Sequence, residues 1–216
     1  MKVFGETAFD IIYLLSAVAA GIYLLVKAKG KGHALMGTAA LILGCGDAFH
    51  LVPRMLGYFI EADFSAALGV GKLITSVTMT VFYICMYYIW RETYQTVENK
   101  TVTVCVWALS AVRIALCLFP QNRWFSNDGP LLWGILRNIP FAVLGAMIVV
   151  LYFVRRKEAK PFRFVWLYVT LSFLFYIPVV VGAGAVPILG MLMLPKTVCY
   201  MLILLAFGTQ ASAVPE

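Results

Sequence analysis

The sequence predicts an all-α integral membrane protein: seven transmembrane helices in one domain, residues 1–216, with the N-terminus outside and the C-terminus cytoplasmic. Composition is the first reason. The chain is 62% hydrophobic and 12% charged, more apolar surface than a soluble domain can hide. Continuity is the second: the apolar runs do not alternate, which excludes a closed β-barrel and leaves helices as the spanning backbone. Length is the third. At roughly 20 residues per crossing, the chain holds about seven spans, short loops and no separate soluble domain.

The predicted helices are approximately 8–26, 34–56, 66–90, 101–118, 130–153, 164–181 and 186–207. The first ends at the basic, glycine-punctuated stretch Lys27 to His33. Ala17-Val18-Ala19 resembles a signal-peptidase site, but Glu6 and Asp10 precede it and the apolar run continues to Val26, so this segment reads as a span. The second helix leads into a loop with Glu61 and Asp63, and the third into the polar stretch Arg91 to Lys100. The fourth stops before the turn-rich segment Pro120 to Gly129. Pro130 starts the fifth, which Arg155, Arg156, Lys157, Lys160 and Arg163 follow. Gly182-Ala-Gly184 makes a short turn between the sixth and seventh. The tail from Gly208 to Glu216 is small, polar and expected to be mobile.

Lysine and arginine crowd the loops after helices one, three and five, which places those loops inside. The net charge of +7 therefore reflects membrane topology rather than nucleic-acid binding. Asn99-Lys100-Thr101 matches the glycosylation pattern but falls on that inner side. Cys45, Cys85, Cys105, Cys117 and Cys199 all fall in predicted helices without a CxxC, and read as small buried hydrophobes. Pro53, Pro140, Pro178 and Pro195 each sit inside a predicted helix, where the ring removes a backbone hydrogen bond. Such breaks serve either helix packing or the lining of a cavity.

The second helix carries the polar centre. Asp47, His50 and Arg54 interrupt the run Leu41 to Leu56 at spacings that share one helix face. Ionisable groups at membrane depth are costly and mark functional sites by default. With the predicted orientation, Lys72, Arg113, Arg137, Asn138 and Lys196 from four other helices fall in the outer half or near the midplane, with Thr75 and Ser76 one turn below Lys72. Five cations then face one deep carboxylate, Asp47. The surplus must snorkel outward, meet water or bind something negative.

The candidate ligand-binding residues are thus Asp47, His50, Arg54, Lys72, Arg113, Arg137, Asn138 and Lys196. They suggest an outward-facing basic pocket for a carboxylate, a phosphate or a lipid headgroup. Trp124, Trp133, Tyr58 and Tyr176 fit either its walls or the interfacial aromatic belt. Asp47 and His50 fit an acid–base pair, two metal ligands, a proton-coupled gate or a structural pair in which Asp47 holds His50 or a basic neighbour. Zinc needs three or four ligands and the only other histidine, His33, lies on the opposite side, so no metal is expected.

Two resemblances bear on this pattern. Pro195-Lys196-Thr-Val-Cys-Tyr-Met-Leu-Ile-Leu-Leu is similar to the retinal-lysine helix of the microbial rhodopsins, and Tyr176-Ile-Pro178 is loosely like their sixth-helix aromatic–proline feature. That likeness implies a retinal-binding, opsin-like receptor with Lys196 as Schiff-base lysine. Leu192 stands where that family has an acidic residue, and Thr75 and Ser76 stand where it has a counterion. Asp47, His50 and the helix count resemble the membrane hydrolases of the adiponectin-receptor and alkaline-ceramidase group, whose paired histidines helix seven lacks.

The expected function is binding or transport of a small anionic solute by a multi-pass protein of the cell membrane. Arg137, Lys196 and Lys72 would touch the anion, and Asp47 with His50 would gate it or couple protons. An enzyme acting on an outer-leaflet lipid headgroup and a seven-helix sensor are the alternatives. No nucleophile motif favours the enzyme, no cofactor is expected, and the expected partners are the bilayer and the anion or headgroup.

Overall fold

The computed structural model describes residues 2–126 and 128–213. Its helices are α1 (Lys2–Val26), α2 (Lys31–Leu56), α3 (Ser65–Tyr94), α4 (Lys100–Leu118), α5 (Leu131–Val154), α6 (Val165–Gly182) and α7 (Met193–Ala213). Among the described residues seven segments are long and apolar enough to cross a membrane, and the chain is a multi-pass membrane protein on that ground. Residues 214–216 of the predicted tail lie outside the described residues; before them α7 continues helical to Ala213.

Each helix packs on the next, and α1 closes on α7 to complete a ring. Across the ring α3 reaches α5 and α2 reaches α7. Half of the most apolar window of α2 is buried and 44% of that of α3, against 17% for the α6 span. Thus α2 and α3 are the inner helices, while α6 turns most of its apolar surface to lipid. Leu15, Val26, Leu118, Val154 and Leu205 are exposed along the outside, as a hydrocarbon solvent allows. Cys45 and Cys105 join them, which corrects the expectation that all five cysteines are buried; Cys85, Cys117 and Cys199 are.

One end of the bundle, the N-terminal end, gathers the start of α1 and the α2–α3, α4–α5 and α6–α7 connections. The three lysine- and arginine-rich connections occupy the other end. There Trp90 donates to the Leu151 carbonyl at 2.9 Å and Tyr152 to that of Met86 at 3.0 Å, tying α3 to α5. Asn99 caps α4 by accepting from the Thr101 and Val102 amides, so the side chain of the glycosylation-like triplet is engaged in the cap. Asp63 accepts from the Ser65 amide at the start of α3. Ser65's hydroxyl and amide hold this exposed carboxyl below its ordinary range.

Several boundaries differ from the sequence reading, α3 running on to Tyr94 and α7 to Ala213, and two of the differences bear on the site. α1 begins at Lys2, which brings Glu6 onto the helix that already held Asp10. The seventh run opens with a 3-10 turn, Pro187–Leu192, and becomes α-helical at Met193. Pro195 is therefore in a first turn, where its missing N–H costs little, and not in a helix interior. Pro53, Pro140 and Pro178 do lie inside helices.

Glycines set how closely the inner helices meet. A Cβ on Gly71 of α3 would strike the Phe49 carbonyl and His50 Cα, and one on Gly46 of α2 would strike the Thr78 side chain. The close approach these two glycines allow, backbone on backbone at Gly71 and side chain on backbone at Gly46, brings His50 within reach of α3.

Candidate functional site

Every predicted site residue falls in the half of the bundle nearer the N-terminal end, toward the end of α2 and α4 or the start of α3, α5 and α7. They do not form one constellation. Three groupings share that half with a fourth, built on Arg137 at the α4–α5 connection.

The first joins α1 to α2. Arg54 Nη2 donates to Asp10 at 2.6 Å and lies 3.3 Å from Glu6. Tyr58 donates to Glu6 at 3.3 Å. Burial, then the Glu6 charge, pushes the Tyr58 phenol above its ordinary value. The expectation of one deep carboxylate facing five cations is thereby corrected: Glu6 and Asp10 are acids of the same half. Arg54 is paired instead of snorkelling. The signal was present in the sequence, since Glu6, Asp10 and Tyr13 repeat at i, i+4, i+7 on one face of α1.

The second centres on Asp47. Its Oδ2 accepts from the buried Tyr13 hydroxyl at 2.7 Å. His50 does not bond Asp47; its Nδ1 lies 2.8 Å from Thr75 Oγ1. Thr75 donates its single proton to the Gly46 carbonyl at 3.0 Å, so the histidine must donate at the shared contact. Neutral His50 is therefore the Nδ1–H tautomer, with Nε2 left as an acceptor. His50 is within electrostatic range of Asp47, Lys196, Arg54 and Lys72. Among the described residues no group of three or more metal-ligating side chains surrounds Asp47 and His50.

The third is an aromatic cage holding two cations. Arg113 of α4 is 3% exposed, with its guanidinium carbon 3.2 Å from the centre of the Phe141 ring. Tyr83, Tyr176 and Tyr200, from α3, α6 and α7, lie within electrostatic range. Tyr83 and Phe141 meet edge to face at 4.9 Å, and the Tyr83 and Tyr200 hydroxyls are 3.4 Å apart. Lys196 Nζ sits 4.8 Å from the Tyr176 ring and 5.4 Å from that of Tyr200, within electrostatic range of Asp47 and Arg113. Asn138 accepts from Tyr176 at 3.0 Å and donates to the Gly134 carbonyl at 2.8 Å.

Among the described residues no carboxylate pairs with Arg113; the Cys117 thiol is within hydrogen-bonding reach of it. Its Nε and Nη1 are buried and have no hydrogen-bond partner among the described residues. The face of Phe141 offsets about 2 kcal/mol for a desolvated cation. That is short of the several kcal/mol that stripping water from an ion costs.

Arg137 points elsewhere. It donates to Asn122 Oδ1 at 2.6 Å and lies 4.5 Å over Trp124. Asn122 donates in turn to the carbonyls of Leu116 and Phe119, and Trp124 to that of Cys117. Arg137 thus braces the α4–α5 connection. Lys72 is exposed on α3, within electrostatic range of Arg137 and Arg54. Of the proposed aromatic walls, Tyr176 reaches the cage, whereas Trp124 stacks on Arg137, Trp133 meets Phe119 at 5.3 Å and Tyr58 binds Glu6.

No protein-family model matches the chain, and no curated protein or solved structure matches it. The likenesses to microbial rhodopsins and to the membrane hydrolases rest on the residues quoted for them.

Proposed function

We propose that the protein binds a small anionic solute from the side of the membrane its N-terminus faces, and passes it across. The N-terminal end is read as the exterior because the opposite end carries the lysine- and arginine-rich connections, in the cell membrane. The supporting observation is Arg113, buried among aromatic rings with two guanidinium donors unpartnered. A carboxylate or phosphate oxygen is the group such donors accept most readily. Lys196 is the second cation of the site and Asn138 its neutral hydrogen-bonding side chain. In this reading Asp47, held by Tyr13, and His50, held by Thr75, gate the site or couple protons to it. Arg54 and Arg137, engaged with acids and with the α4–α5 connection, hold the frame.

The test is a thermal-shift screen of the purified protein against small carboxylates and inorganic phosphate. At least one anion should raise the melting temperature, and Arg113→Gln should abolish that rise. A wild type that no anion stabilises, or an Arg113→Gln protein stabilised equally, overturns the reading.

A further inference from the structure

A cavity of about 580 Å³ opens at the N-terminal end, between the start of α1 and the 3-10 turn that leads into α7. Its charged wall is Glu6 and Arg54; Phe9, Met191 and Leu194 supply the apolar side and Gly190 part of the rim. Arg113, Lys196 and the aromatic cage do not line it, so it is a separate place from the anion site.

We propose that this cavity holds a zwitterionic phospholipid whose headgroup ends in a primary ammonium. Charge argues for a zwitterion. Both ion pairs of Arg54 run through Nη2, which leaves Nη1 to donate to a phosphate oxygen. Glu6 supplies a carboxylate for the ammonium. With Asp10 behind, two carboxylates face one guanidinium, so a lipid with net negative charge is disfavoured. Depth argues for a lipid. Glu6 lies near the start of the Val3–Val26 span and Arg54 near the end of Lys31–Leu56, the level at which headgroups sit. Size argues the same way: the volume is that of a drug-sized molecule rather than an ion, with room for the glycerol and first acyl carbons against Phe9, Met191 and Leu194. Met191 is exposed at the rim, where chains pass into the bilayer.

Native mass spectrometry of the purified protein, with phosphatidylethanolamine, phosphatidylcholine or phosphatidylglycerol added in turn, tests this. Phosphatidylethanolamine should be retained about tenfold more tightly than the other two, because a quaternary ammonium cannot donate to Glu6 and a phosphatidylglycerol lacks the cation. Gly190 lines the cavity and an added Cβ there meets no atom within 4 Å, so Gly190→Phe should fill part of the cavity and cut retention about tenfold, with a thermal melt checking that the variant keeps its fold. Glu6→Gln, which keeps the shape and removes the charge, should bring phosphatidylethanolamine down to parity with phosphatidylcholine. Equal retention of the three lipids, an unchanged phosphatidylethanolamine preference in Glu6→Gln, or undiminished retention in Gly190→Phe overturns the proposal. Displacement of the lipid by soluble phosphoethanolamine at equal concentration overturns its lipid part. None of these results depends on Arg113, and an anion effect lost in Arg113→Gln says nothing about this cavity.

Discussion

The Tyr13 hydroxyl donates to Asp47 Oδ2 at 2.7 Å with both side chains buried, so the deepest acid of α2 is held from α1. Removing the donor leaves a buried acceptor without its partner. Tyr13→Phe should therefore destabilise the protein by about 1–3 kcal/mol, read as a lower melting temperature in detergent. Thr75→Val, which removes His50's partner on α3, should leave the Tyr13–Asp47 contact intact, and its effect should add to that of Tyr13→Phe.

Arg113 is expected to weaken the unliganded fold. Replacing buried charge with an apolar side chain of similar volume is often neutral or stabilising by roughly 1–4 kcal/mol. Arg113→Met should accordingly melt at or above the wild-type temperature without added anion, and should no longer respond to anions. A marked loss of stability in the anion-free protein would mean that Phe141 and the surrounding tyrosines fully satisfy the guanidinium.

Close approach of α2 and α3 rests on bare backbone at Gly71, where a Cβ would meet the Phe49 carbonyl. Gly71→Val should cost about 1–3 kcal/mol through overpacking. Gly134→Ala is the control, since nothing lies within 4 Å of its added Cβ. A thermal melt that ranks the two variants together would remove the α2–α3 contact from the account of how His50 is placed.

Arg137 and Asn122 act as one brace in this structure, at 2.6 Å. A double-mutant cycle of Arg137→Ala and Asn122→Ala should give a coupling between about 0.5 and 3 kcal/mol. Anion affinity should change less in Arg137→Ala than in Arg113→Gln. The reverse ranking would return Arg137 to the ligand site that its sequence position suggested.

Much of this protein was legible from its residues alone. Hydropathy determined seven spans, because hydrocarbon admits only backbones that satisfy their own hydrogen bonds. Depth was legible too: a helix rises about 1.5 Å per residue, so Asp47, Lys72, Arg113 and Lys196 were assignable to one half of the bundle before any contact was known. Which side chains meet was decided only by tertiary structure. Asp47 turns to Tyr13 and not to His50, Arg54 finds Asp10, Arg137 swings to the α4–α5 connection, and Arg113 ends in an aromatic cage drawn from α3, α5, α6 and α7. These outcomes depend on how each helix is rotated about its own axis and how closely glycines let neighbours approach. Apart from the polar face of Glu6, Asp10 and Tyr13 on α1, these helices are apolar nearly all round, and there no period in the sequence encodes that rotation.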